Sequence, residues 1–123
     1  MPSREEVSTF IQATFRSVWG LELLCFLRQN RSRALSHAEM VSELRGSDLV
    51  VTQGIATLSA AGLIVTEADG SARYAPASED LDGLVEQAEA LYATSPDAVR
   101  RMIVAAASPG ITAFADAFRL RKD

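Results

Sequence analysis

A mainly α-helical single domain with one small β-hairpin set between helices is the architecture this sequence predicts, on three observations. Two stretches, Ser3–Glu6 and Ser36–Glu39, place a serine three residues ahead of a glutamate. That is the spacing of a capping box, and apolar residues follow each at helical intervals. Asp69-Gly70 sits between the β-branched run Leu63–Thr66 and the segment Ala72–Ala75, a tight-turn signal between two strands. The chain has 123 residues, 48% hydrophobic and 23% charged, which suffices for one core and is ordinary for a globular protein. Residues 1–123 are therefore assigned to one domain.

Each element has its own signal. Ser3 caps a first helix whose apolar stripe is Val7, Phe10, Ile11, Phe15 and Val18. The next segment, SVWGLELLCFLRQN, is apolar on most faces and predicts a helix surrounded by protein. Asn30 and the basic loop Arg31-Ser32-Arg33 end it, and Ala34-Leu35 is the place for a short strand. Ser36 caps a third helix with Met40, Val41 and Leu44 inward. Gly46 is expected to stop it, because glycine takes the left-handed conformation favoured at a helix C-terminus. Ser47 or Asp48 caps the fourth helix, 48–61, with Val51, Ile55, Leu58 and Ala61 inward, and Gly62 closes it. The hairpin occupies 63–76, its pairing ended by Pro76. Beyond Ser78, Leu81, Leu84, Val85, Ala88, Leu91 and Tyr92 mark one face of a helix. Ser95-Pro96-Asp97 starts another that carries Val99, Met102, Ile103 and Ala106. Ser108-Pro109-Gly110 is expected to break it before a last helix with Ile111, Phe114, Ala115 and Phe118, and the basic end, RLRKD, is expected to fray.

Residues 34–76 thus read as two helices joined by a tight turn and followed by a wing, with 3–29 and 79–121 as flanking helices. Ser36-x-x-Glu39-x-x-x-x-Leu44 leads through Gly46 into Val51-x-x-x-Ile55-x-x-Leu58-x-x-x-Gly62-Leu63-Ile64. This pattern resembles the winged helix-turn-helix transcriptional regulators of bacteria, the group that includes the MarR-like and ArsR-like repressors. SAAGLI, residues 59–64, looks like the segment that ends many of their recognition helices and starts the wing. The resemblance covers roughly a third of the chain and is one of fold. It implies a DNA-binding regulator that reads the major groove with helix 48–61 and meets the backbone with the 63–76 wing.

Carried over by position, the resemblance turns Ser47, Leu49, Val50, Thr52, Gln53 and Ala56 toward double-stranded DNA. Gln53 is the candidate base reader, since its amide both donates to and accepts from adenine. Thr52 is placed to meet a phosphate or a thymine methyl, and Thr57 to reach the backbone. Arg73 on the returning strand and Arg45 are the expected backbone contacts, with Arg31 and Arg33 beside them. The flanking helices hold more apolar surface than a small wing core covers, so a homodimer is expected. Its two-fold would set two recognition helices about one DNA turn apart.

Charge points the other way. The formal net charge is −4 and the pI near 5.0, whereas a DNA-binding domain often exceeds about 9. Between Ala34 and Pro76 two arginines face five carboxylates, a net −3. Leu49–Ala61 holds no lysine or arginine, and Leu49 and Val50 are apolar where exposure is expected. The alternative is a winged-helix protein–protein interaction module without DNA binding, with Leu49, Val50 and Gly54 forming the patch for a partner.

Other classes lack their residues. There is no glycine-rich phosphate loop and no nucleophile elbow, and His37 is the single histidine, so neither an enzyme, a metal nor a cofactor is expected. Asp80, Asp82, Glu86 and Glu89 read as the wet face of a helix, and Trp19, Phe26, Phe114 and Phe118 as core. No apolar run approaches the ~18 residues of a membrane span. The N-terminus has no signal-peptide pattern, and the lone Cys25 excludes an intrachain disulfide. A cytoplasmic location is expected.

Overall fold

The computed structural model describes residues 2–107. The expected break at Ser108-Pro109-Gly110, the helix carrying Ile111, Phe114, Ala115 and Phe118, and the basic end lie outside them. The described residues are mainly helical with one small antiparallel sheet. The elements are α1 (Arg4–Thr14), α2 (Val18–Gln29), α3 (His37–Leu44), α4 (Asp48–Ala60), β1 (Ile64–Thr66), β2 (Ala72–Tyr74), α5 (Glu79–Thr94) and α6 (Pro96–Ala107).

Serine starts most of these helices for one reason: its hydroxyl accepts a hydrogen bond from a first-turn amide that has no partner within the helix. Ser3 and Ser36 form full capping boxes with Glu6 and Glu39, while Ser17, Ser47 and Ser78 cap α2, α4 and α5. Among the described residues no single helix is long and apolar enough to cross a membrane.

Two boundaries differ from expectation. Phe15 and Val18 do not continue α1; the chain turns by 110° between α1 and α2. Phe15 is extended at φ −103° and ψ 128°, and Ser17 begins a new helix by accepting from the Gly20 amide. The Phe15 ring is buried in the corner and meets Phe10 edge-on at 5.9 Å, so packing and a fresh cap override the helical spacing of the sequence. At the end of α3, the left-handed residue is Arg45 (φ 53°, ψ 33°) and not Gly46. The amides of both Arg45 and Gly46 bond the Val41 carbonyl, so the turn closes one residue earlier than glycine placement implies.

The hairpin pairs Ile64 with Tyr74, Val65 with Arg73 and Thr66 with Ala72. Gly70 supplies the positive φ of 87°, and the Asp69 carboxylate accepts from the Ser71 amide. Leu35 exchanges backbone hydrogen bonds of 2.8 and 2.9 Å with Ala72, so the predicted lead-in strand is a single bridge. Pairing also runs past Pro76, since the Ala77 amide donates to the Gly62 carbonyl at 2.8 Å. Gly62 itself sits at φ 76° and ends α4 as expected.

The helices pack in two groups. α2 lies at the centre of one, against α3, α4 and β2, while α1, α5 and α6 pack on one another. Both groups contribute to one buried cluster, with Leu21, Leu23, Leu24, Leu27, Met40, Val51, Leu58 and Leu63 from the first and Val7, Ile11, Val85, Ala88, Val99 and Ile103 from the second. α1, α5 and α6 therefore turn part of their apolar surface toward one another.

Candidate nucleic-acid interface

The residues carried over from the resemblance gather around α4 and the turn before it. Ser47 is the N-cap of α4, and its side chain accepts from the Val50 amide at 3.2 Å. Its hydroxyl hydrogen remains to donate outward. One turn away His37 Nε2 stands 3.1 Å from the Asp48 carboxylate, joining the starts of α3 and α4. Arg45, held left-handed, is exposed at the mouth of the same turn.

Thr52 and Gln53 are exposed on α4, together with Leu49 at 64% and Ala56. Gln53 and Thr57 also line a groove of about 580 Å³ between α4 and the start of α2, whose other walls include Arg16, Trp19, Val50 and Gly54. The structure thus brings Gln53 and Thr57 together on one groove and Arg45 and Ser47 on one turn. Arg73 stands on β2, exposed beside Val65 across the ladder.

Gly54 has a packing role. A Cβ there would meet the buried Leu23 Cδ2 at 3.0 Å, so glycine lets α4 approach α2 closely and the position does not belong to the outer face. Arg16 and Trp19 were not among the expected site residues. Trp19, expected in the core, is 39% exposed. The only signal for this is the Ser17 cap, which becomes legible once the first apolar stripe is known to break at Phe15.

The electrostatics are sparse. Arg33 is spent on Glu39 at 2.7 Å, and this partner together with the Ser36 amide holds the Glu39 carboxyl down at about 2. Arg31, Arg45 and Arg73 have no ion pair among the described residues. α4 contributes no cation, and its one charged side chain is Asp48.

The acidic residues of α5 are not simply a wet face. Glu89 bonds Arg28 at 2.9 Å, with Asp82 and Glu86 at 3.9 and 4.0 Å, because the partly buried guanidinium of α2 attracts this stripe. Burial and the adjacent Glu89 push the Cys25 thiol up to about 12, leaving it protonated and poorly nucleophilic.

Compared with known proteins, the chain matches no family model, no curated protein and no solved structure.

Proposed function

We propose that the chain is a winged helix-turn-helix regulator of transcription that binds double-stranded DNA. The observation that carries this reading is the arrangement of Leu35–Tyr74. α3 and α4 are joined by the short Arg45–Ser47 turn, the hairpin follows α4 directly, and Leu35 bonds its returning strand. On this reading α4 enters the major groove, Gln53 and Thr52 read base edges, Ser47 and Thr57 donate to the backbone, and Arg45 and Arg73 neutralise phosphates. A two-fold homodimer belongs to the reading because operators are commonly repeated across a two-fold. The protein then works in the cytoplasm, without catalysis or a cofactor.

A specific observation favours a second reading. The outer face of α4 offers Leu49, Thr52, Gln53 and Ala56 with no cation, beside a groove lined by Trp19. That surface suits a protein partner at the Leu49/Val50 end of α4, and the module then binds no DNA.

Fluorescence anisotropy of labelled duplex DNA, titrated with protein and then with salt, separates the two. Binding that weakens steeply with salt supports the regulator. No binding at about 50 mM salt overturns it and leaves the interaction module. Given binding, Gln53→Ala is expected to remove about 1–3 kcal/mol of discrimination at one base pair. Unchanged sequence preference removes Gln53 as the reader.

A further inference from the structure

Where the two groups of elements meet, three side-chain hydrogen bonds cross between them. Arg28 Nη1 of α2 donates to Glu89 Oε1 of α5 at 2.9 Å, and the Tyr74 hydroxyl of β2 donates to Asp82 Oδ1 of α5 at 2.5 Å. The Tyr92 hydroxyl of α5 donates to Glu22 Oε1 of α2 at 2.8 Å. Asp82, Glu86 and Glu89 fall at i, i+4 and i+7, so they form one stripe along α5, and all three approach the same guanidinium. Arg28 has more acceptors within reach than it uses. Its Nε and the second oxygen of Glu89 are occluded and lack a hydrogen-bond partner among the described residues. A cleft of about 810 Å³ opens beside them, lined by Arg28, Arg31, Tyr74, Glu79, Asp82 and Glu86.

Glu89 holds this cation at 2.9 Å while Asp82 and Glu86 stand at 3.9 and 4.0 Å from other nitrogens of the same guanidinium, so a displacement of α5 changes which carboxylate it pairs with. We propose that Arg28 and Tyr74 form a latch between α5 and the hairpin: when α5 shifts along Arg28, exchanging Glu89 for Glu86 or Asp82, Tyr74 carries β2 with it. The hairpin is coupled to α5 twice, through the Tyr74 hydroxyl and through the short connection Ala75–Ser78, whose Ala77 amide holds the Gly62 carbonyl. The latch is therefore a conformational device that ties the position of β2 to the α1, α5 and α6 group. Only its consequence for DNA, through Arg73 next to Tyr74, rests on the function proposed above.

Amide hydrogen exchange on the full chain tests the latch without any DNA. Tyr74→Phe removes one hydroxyl and leaves the ring in place, and Asp82→Asn weakens its acceptor. Each is expected to speed exchange at the amides of Ala72, Ala75 and Ala77 by about tenfold, while Gly46 and Val51 in the α3–α4 unit stay as in the parent chain. Spin labels at the exposed positions Thr66 and Ala90 are expected to show one separation in the parent and a second population in Asp82→Asn. Exchange that rises equally everywhere makes these residues ordinary stabilising contacts and overturns the latch. Unchanged exchange at Ala75 and Ala77 in Tyr74→Phe overturns it as well.

Discussion

Arg45 carries a left-handed backbone at φ 53°, a conformation that costs a residue with a Cβ roughly 1–2 kcal/mol. Glycine adopts it without that cost, so Arg45→Gly is expected to stabilise the fold by about 1 kcal/mol in urea unfolding. If the turn meets phosphate, the same variant binds DNA more weakly. A more stable chain with weaker binding separates the two roles of this residue; a loss of stability shows that the arginine side chain holds the turn. Gly54 poses the opposite balance. Alanine is better than glycine inside a helix by about 1 kcal/mol. Its Cβ, however, meets the fully buried Leu23 at 3.0 Å, and overpacking a core costs about 1–3 kcal/mol. Gly54→Ala is therefore expected to lose about 1 kcal/mol in a thermal or urea melt. A gain means that Leu23 yields.

At the scale of elements, α3 is set by its first turn. Ser36 and Glu39 satisfy each other's backbone amides while Arg33 grips the same carboxylate at 2.7 Å. The folded state thus holds Glu39 at about 2, below its ordinary 4.5. A depressed carboxyl contributes stability that is present above the unfolded value and lost as pH falls through the folded one. The stability of the parent chain is expected to decline between pH 4.5 and about 2, and Glu39→Gln to flatten that part of the acid limb in circular-dichroism melts. An acid limb identical in the variant shows that the carboxylate is no more favoured folded than unfolded. The same box was legible in the sequence because Ser-x-x-Glu is a local code whose partners lie within one turn. The end of this helix was less legible. Glycine at 46 is a sound local signal, yet the turn closes on Arg45, because the Val41 carbonyl takes both following amides.

For the whole molecule, acidity and the proposed DNA contact must be reconciled by count. Arg31, Arg45 and Arg73 are the cations of the 31–76 region without an ion pair among the described residues. Each neutralised phosphate contributes about 0.9 to the slope of log affinity against log salt, so with Arg45 and Arg73 on phosphates a bound monomer is expected to show about −2 and a two-fold dimer about −4. Sedimentation equilibrium of the free protein fixes which number applies. A monomer with no salt-dependent binding favours a protein partner at α4. α1, α5 and α6 pack against each other, and among the described residues Val104 is the large apolar side chain most exposed on α6. One such residue is ordinary for a surface.

Caps, turns and periodicity are relations between residues within a few positions of each other, and these could be read directly. Ser3, Ser36 and Ser78 begin helices, Gly62 and Gly70 take positive φ, and Val51 and Leu58 face inward, all from local spacing. Tertiary structure decided what depends on distant partners. Whether Gly54 is a gap or a packing site depends on Leu23, which is 31 positions away. Whether Glu89 is solvated or paired depends on Arg28, 61 positions away. Trp19 was placed on a groove by a 110° corner that helical spacing alone does not reveal. Local hydrogen bonds form with whatever is adjacent in the chain; burial and ion pairing form only with what folding brings near.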